Sequence, residues 1–321
     1  MSWRFRVLRI ATVGTSAICR RFIDAARSSA CLEVVACYSR DADRAASFAK
    51  ELDVGRGVGD FDALIGARDV DAIYVASPNS VHVEHVRRAL EARKHVLCEK
   101  PLAPTAAEAE SLFALSLEQD VVLLEGMRST YDPGMAVVRE LTPTLGVVRR
   151  VSFTYCQRSA RYDRVLAGER VNIFDPALAG GALLDLGVYC AHPLVDLFGE
   201  PERVLAAQVS VASGADGAGV VVAVYPTLIA DLSYSKITES STPSEIQGEL
   251  GTMLIDHISA PRHIVVEYHN GERTEVRPEG AENNLLYEIR RFVQVVASGV
   301  QPVEDTHRSL MAARLVDRAR A

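Results

Sequence analysis

Lys100, Asp185 and Tyr189 are the residues of this 321-residue chain whose types and settings can move a proton. Lys100 leaves a short apolar run in HVLCEKPLAP, with Glu99 before it and Pro101 after it. An ammonium at the exit of a buried strand is a candidate acid–base group or carbonyl polariser, the alternative being a loop salt bridge. Asp185 and Tyr189 stand four apart in GGALLDLGVYCAHPLVDLFG (180–199). On a helix they share a face, and His192 continues that stripe one turn on. The flanking residues are apolar all round, which predicts a buried helix whose polar stripe faces something polar. A cleft between two domains is the natural place. Gly180 and Gly181 permit close approach of a ligand or of the other domain, and Pro193 predicts a kink or a break in the helical hydrogen bonding.

A second set of residues can hold an anion. In RIATVGTSAICRRF (9–22) an apolar run reaches Gly14 and turns into a helical pattern. A dinucleotide-binding fingerprint, G-x-G-x-x-G, laid on Gly14 finds Ser16 in the second glycine place and Cys19 in the third. Ser16 is small and can donate to a phosphate oxygen, and Cys19 is small and apolar enough for close packing. The helix start offers free N–H groups to an anion. Taken alone, the loop is equally a plain βα turn. The next strand-like run exits through Tyr38, Ser39 and Arg40, where a carboxylate would take ribose hydroxyls of NAD. A serine and an arginine suit the 2′-phosphate of NADP instead, although Asp41 and Asp43 follow closely. Ser77, Pro78 and Asn79 end a third run in YVASPNSVHVEHV; they are ligand-facing if the sheet is parallel, and simple turn formers otherwise. Arg128, Arg158, Tyr162 and Asn172 precede the helix of Asp185 and are candidate substrate contacts or solvated surface residues.

These residues need a scaffold, and the hydropathy pattern supplies one. Up to residue 127, RVLRIATV, EVVACY, DAIYVAS, KHVLC and VVLLEG alternate with helical patterns, so a doubly wound parallel sheet is expected. Thr105 and Glu108 have capping-box spacing and mark one helix start. From about residue 146, eight runs with period-two alternation predict a mostly antiparallel sheet, with one face wet or used for association. The expected division is therefore 1–127, an α/β Rossmann domain, and 128–321, an α+β domain whose last helix packs back on the first.

Composition narrows the function classes. Hydrophobic residues make up 48% and charged residues 24%, as in an ordinary globular protein. A net charge of −7, with no basic aromatic tract, argues against a nucleic-acid partner. MSWRFRVLRIATVG lacks the apolar core of a leader, and the apolar runs look too short for a membrane span, so a cytoplasmic protein is expected. The six cysteines form no C-x-x-C pair and read as reduced thiols, mostly buried. HVEH (82–85) fits no zinc pattern, and no metal is expected.

In order, GTSAI, SPNSVHVEH, HVLCEKPLA, GGALLDLGVY and EIQGELGTMLIDH resemble the glucose–fructose oxidoreductase / inositol dehydrogenase family, also written Gfo/Idh/MocA, from Arg9 nearly to the C-terminus. The resemblance implies a Rossmann domain, a C-terminal α+β domain with an open, mostly antiparallel sheet, and NAD(P)-dependent oxidation or reduction of sugars, polyols and related alcohols. It places Lys100, as the lysine of the E-K-P motif, beside the nicotinamide and the reacting oxygen. It carries cofactor contacts onto Gly14, Thr15, Ser16, Ala17, Ile18, Ser39, Arg40, Ser77, Pro78, Asn79, His82 and Glu99. Asp185 and Tyr189 match a D-x-G-x-[HY] pattern. Tyrosine in its last place is similar to the dihydrodiol dehydrogenase and glucose–fructose oxidoreductase branches rather than to polyol dehydrogenases bearing histidine.

The expected activity is hydride transfer with NADP, or else NAD, between an alcohol and a carbonyl on a sugar-like or cyclic-diol substrate. Tyr189 is the expected proton donor, assisted by Lys100 because a phenol ordinarily titrates near pH 10; Lys100 as donor is the reverse assignment. Asp185 orients Lys100 or a substrate hydroxyl. Two other classes fit the same scaffold: a non-catalytic dinucleotide-sensing regulator, and a glycoside-cleaving enzyme with bound NAD. A homodimer or higher homo-oligomer, associating through the exposed sheet face, is expected.

Overall fold

The computed structural model describes residues 7–321. Arg6, the first residue of the expected opening strand, and the residues before it lie outside that range. The chain divides into two compact units. One runs up to Gly126 and adds Ala281–His307, and the other comprises Met127–Gly280 and Arg308–Ala321.

The first unit alternates β1 (Leu8–Val13), α1 (Ala17–Ser29), β2 (Leu32–Tyr38), α2 (Ala42–Glu51), β3 (Arg56–Val58), α3 (Phe61–Ile65), β4 (Ala72–Val75), α4 (His82–Glu91), β5 (His95–Glu99), α5 (Ala106–Glu118) and β6 (Leu123–Gly126). All strand pairs are parallel, in the order β3-β2-β1-β4-β5-β6. That is the Rossmann order, with its reversal between β1 and β4. Every residue of β4 and β6 is buried, as strands covered on both faces require. The five expected strands are present. The sixth, β3, is Arg-Gly-Val, too short to carry a periodicity. The expected cap forms: the Thr105 hydroxyl accepts from the Glu108 N–H at 3.3 Å and donates to its carboxylate at 2.7 Å.

The second unit contains α6 (Pro133–Leu141), β7 (Val148–Cys156), α7 (Tyr162–Leu166), α8 (Val188–Phe198), β8 (Arg203–Ser210), β9 (Asp216–Val224), β10 (Ile229–Ser235), β11 (Ser244–Gly248), β12 (Gly251–Ile255), β13 (Ile264–Tyr268) and β14 (Arg273–Val276). Its eight strands are ordered β14-β13-β12-β11-β7-β10-β9-β8. All pairs are antiparallel except β10 with β7, so the sheet is mixed at its centre. One face, with Val151, Phe153, Val221, Leu232 and Ile246, packs with α8 into the core. The alternate residues face the other way.

Two closing helices follow. Helix α9 (Leu285–Ser298) belongs to the first unit, where it packs on α1, and α10 (Val303–Arg320) is divided between the units after His307.

One sequence expectation is corrected. Pro176–Phe198 is long and apolar enough to cross a membrane by length and composition, although 78% of its most apolar 18-residue window is buried. Its apolar residues are interrupted by Asp185 and Asp196, so no single apolar run of the sequence has that length. Burial in the second unit's core accounts for its hydropathy.

Candidate active site

The first unit presents its candidate residues at the carboxyl ends of successive parallel strands, where open α/β sheets bind ligands. Gly14, Thr15, Ser16, Ala17 and Ile18 follow β1; Ser39 and Arg40 follow β2; Ser77, Pro78 and Asn79 follow β4; Glu99 ends β5 and Lys100 follows it. Gly14 has φ +124°, and its N–H donates to the Tyr38 carbonyl at 3.0 Å. A Cβ there would lie 2.7 Å from the Ala76 carbonyl oxygen. Only glycine fits this backbone, and the room it leaves is the cradle a pyrophosphate needs. Ser16 is exposed in the N-cap place of α1, yet its side chain makes no cap hydrogen bond. The first N–H groups of α1 therefore keep their affinity for an anion. Cys19 fills the third glycine place as a buried plug, and burial pushes its thiol up to about 11. It stays a neutral packing group.

The exit of β2 resolves the conflict between Arg40 and the nearby acids. The Asp41 carboxylate accepts the Arg44 N–H at 3.0 Å as the N-cap of α2, and the Ser39 hydroxyl accepts the Asp41 N–H at 3.3 Å. Arg40 is exposed, and no ion pair with a described residue engages it. What the strand offers a ribose is a hydroxyl and a guanidinium. These residues fit a dinucleotide that carries a 2′-phosphate.

The loops after β4 and β5 are tied together. The His82 ring lies between the Ser77 carbonyl (Nε2, 2.8 Å) and the Pro101 carbonyl (Nδ1, 2.9 Å) and is 1% exposed. It therefore sits beneath the rim, bracing two loops. Tyr74 donates to the Glu99 carboxylate at 2.5 Å and stacks on Phe22 at 3.7 Å between centroids. Lys100 follows, partly exposed, and its bond to Pro101 is cis.

In the second unit, Leu183–Gly187 winds as a wide π-turn before α8. The close approach allowed by Gly180 and Gly181 comes from the unit's own chain. A Cβ on Gly180 would lie 2.6 Å from the Asn172 carbonyl, and one on Gly181 would meet the Asp216 carboxylate, which accepts the Leu183 N–H at 2.6 Å. Helix α8 runs through Pro193 to Phe198.

Asp185 and Tyr189 each have a cation at hand. Arg128 donates from Nε to the Tyr189 hydroxyl at 3.1 Å, with its guanidinium 5.4 Å from the ring centroid. Tyr189 is 5% exposed and packs edge-on against Tyr155. The Asp185 carboxylate pairs with Lys236 at 2.7 Å. The spacing of Asp185, Tyr189 and His192 gave no sign of Lys236, a lysine just past the end of β10. His192 is buried on α8. Arg158 and Tyr162 lie on the segment around α7: Tyr162 packs 5.8 Å from the Phe174 ring, on which the Lys236 ammonium rests, and Arg158 pairs with Asp163 at 2.5 Å with its guanidinium 5.3 Å from the Tyr162 ring centroid. Asn172 is exposed at the turn before Phe174. Among the described residues, no group of three or more His, Cys, Asp or Glu could hold a metal ion.

Comparison with known proteins gives this arrangement its kin. Residues 8–127 match the model of an oxidoreductase family with an NAD-binding Rossmann fold, and residues 142–254 match the GFO/IDH/MocA C-terminal domain. A scyllo-inositol 2-dehydrogenase (NADP(+)) of Bacillus subtilis, IolU, is 36% identical over 98% of this chain and 96% of its own length. A trans-1,2-dihydrobenzene-1,2-diol dehydrogenase of Mus musculus is 30% identical over 90% of this chain and 88% of its own. The solved structure of KijD10, a 3-ketoreductase from Actinomadura kijaniata in complex with NADP and TDP-benzene, superposes with a TM-score of 0.88, covering 98% of this chain and 97% of that one at 28% identity. On its sequence and on both of its domains, this chain belongs to the GFO/IDH/MocA family of oxidoreductases, whose first domain is an NAD-binding Rossmann fold.

Proposed function

We propose that the chain is an NADP-dependent dehydrogenase or reductase that interconverts an alcohol and a carbonyl on a sugar, polyol or cyclic diol. The observation that carries this reading is the buried Tyr189 hydroxyl with the Arg128 guanidinium donating to it at 3.1 Å. A sensing regulator has no use for a phenol set up in this way. The relatives that span nearly the whole chain are named for inositol, dihydrodiol and keto-sugar chemistry, two of them with NADP.

NADP, when bound, supplies or takes up the hydride. Gly14, Thr15, Ser16, Ala17 and Ile18 hold its pyrophosphate on the start of α1, and Ser39 and Arg40 hold its 2′-phosphate. Ser77, Pro78, Asn79 and Glu99 line the rest of its length, with His82 bracing their loops from below. During reduction, Tyr189 gives its proton to the substrate oxygen, and Arg128 stabilises the negative charge left on the phenol oxygen. During oxidation, the same oxygen takes the proton back. Lys100 places a positive charge against the substrate oxygen as charge develops there, and Asp185 accepts a hydrogen bond from a substrate hydroxyl. Six free cysteines, four of them buried, accord with a reducing cytoplasm. The apolar outer face of the second unit's sheet is the seat of a second copy, in a homodimer or higher homo-oligomer.

The test is a nicotinamide-absorbance screen with NADP and NAD side by side over scyllo-inositol, other inositols, aldoses, cyclic trans-diols and keto-sugars. Turnover with NADP should exceed that with NAD by about tenfold or more in kcat/KM. Lys100→Met should cost on the order of a hundredfold in kcat. An inert panel with tight NADPH binding would favour the regulator instead, and sugar release without net absorbance change would favour glycoside cleavage.

A further inference from the structure

Lys236 is among the largest fully buried side chains of the described residues, 2% exposed. It sits one residue past β10, and its backbone is fixed from both sides: its N–H donates to the Gly217 carbonyl at 2.8 Å, and its carbonyl accepts the Ser159 N–H at 2.8 Å. The ammonium donates to the Ile173 carbonyl at 3.1 Å and lies 4.9 Å from the Phe174 ring centroid. At 2.7 Å it meets Oδ2 of Asp185, whose side chain is 37% exposed. The surroundings of Phe174, with Val165 and Val171, are apolar. A leucine or methionine would fill that space without the cost of burying a charge. The buried charge is anchored by a carbonyl and an aromatic face, and it ends on a carboxylate that reaches solvent. Of these contacts, the ion pair with the carboxylate is the one that links the buried charge to solvent.

We propose that Lys236 is a positioning residue for Asp185. It grips Oδ2, fixes the rotamer and keeps the carboxylate ionised, so that Asp185 accepts a hydroxyl on the carbon next to the reacting one. The inference rests on the oxidoreductase reading above and deepens it. The preferred substrates carry a hydroxyl adjacent to the reacting carbon, as in a vicinal diol or an α-hydroxy ketone. The wide turn at Leu183–Gly187 serves the same end, because it carries Asp185 to the lysine while α8 carries Tyr189 to Arg128.

The experiment compares wild type, Lys236→Met, Lys236→Arg, Asp185→Asn and the Lys236→Met/Asp185→Asn double variant, with scyllo-inositol and with cyclohexanol as substrates and NADP as cofactor. Lys236→Met should lower kcat/KM for scyllo-inositol by about 10- to 100-fold, chiefly through KM, with NADPH affinity unchanged. Cyclohexanol, which lacks a neighbouring hydroxyl, should lose less than about threefold. Lys236→Arg should recover part of the loss. The double variant should be no worse than Asp185→Asn alone. Additive losses, or equal losses on both alcohols, overturn the proposal. Should Lys236→Met fail to fold, Lys236→Gln makes the same comparison while retaining a donor for the Ile173 carbonyl. Crystal structures of wild type and Lys236→Met read the Asp185 rotamer whether or not either alcohol is turned over. An unmoved carboxylate sinks the positioning role, whereas an inert wild type with a moved carboxylate sinks only the oxidoreductase reading.

Discussion

Gly14 and Ser16 answer different questions about the same loop, and substitutions separate them. Alanine at Gly14 must adopt φ +124° and push its Cβ against the Ala76 carbonyl, so Gly14→Ala should destabilise the first unit as well as weaken cofactor binding. Ser16 is exposed and its side chain caps nothing, so Ser16→Leu has little to lose in the fold. It should leave the melting temperature within about 1–2 °C of wild type, yet raise the Kd for NADPH by about tenfold or more, because bulk is placed where the pyrophosphate approaches the helix start. Fluorescence titration with NADPH reads this directly, and an unchanged Kd would remove the loop from the cofactor site. Gly14 and Ser16 were legible in the sequence because strand, turn and helix start are consecutive in the chain. The same holds for Lys100, which follows its own strand. Lys236 was not legible. A lysine after SYS at a strand end looks solvated, and its burial depends on Gly217, Ser159, Ile173 and Asp185, which reach it from four distant parts of the chain.

At the scale of elements, the loops after β4 and β5 are held by histidines whose protonation the fold opposes. Burial is the main cause that lowers His85 to about 4, with Arg40 adding to it; its ring packs 4.9 Å from that of Phe61, and its Nδ1 lies 3.0 Å from the Ser77 hydroxyl. Burial pushes His82 down as well. A histidine whose folded value lies below its unfolded value of about 6.5 binds its proton in the unfolded chain first. Its neutral-state stability is complete above about pH 6.5 and is lost as the pH falls from there toward 4. His85→Gln should therefore be less stable than wild type at neutral pH by a margin that shrinks on acidification, removing at most about 1.4 kcal/mol per pH unit of slope. Urea midpoints at intervals between pH 7 and 4.5 check it, and a margin that stays constant across that range counts against the assignment. The elements themselves were largely legible where hydropathy has a period, as in β1, α1 and the alternating strands of the second unit. They were not legible where geometry departs from a period. β3 is three residues long, the turn at Leu183–Gly187 is wider than an α-helix, and β10 pairs in parallel with β7, a partner some eighty residues earlier in the chain.

At the scale of the molecule, the second unit's sheet has a face that its own chain leaves uncovered. Along β8, Leu205, Ala207 and Val209 point to the side opposite the core, and register carries the same face onto Val222, Val220 and Ala218 of β9. Leu205 is 56% exposed, Val209 60% and Ile229, further along the same face, 53%. A depression of about 400 Å³ lies between Val209, Val220, Ser233 and Cys156. β8 is also the last strand of the sheet, so apolar side chains and an unpaired backbone edge are exposed together. Such an edge associates indiscriminately unless something covers it. A second copy of the same face does so economically, since a two-fold axis pairs like with like and leaves no open edge to propagate. Near this patch Arg150 and Asp231 offset each other's charge at 3.0 Å, and the outer-face Glu245, Glu267, Arg273 and Glu275 lie on the strands farther from β8. Val209→Glu places a negative charge on the exposed face near the end of β8 without touching the core. It should shift the protein toward the monomer in light scattering at micromolar concentration while the circular dichroism spectrum is kept. Val7→Glu, a change at an exposed apolar position in the first unit, should leave the mass unchanged. A wild-type chain that is already monomeric under these conditions, or a Val209→Glu variant of undiminished mass, would show that this face does not join two copies.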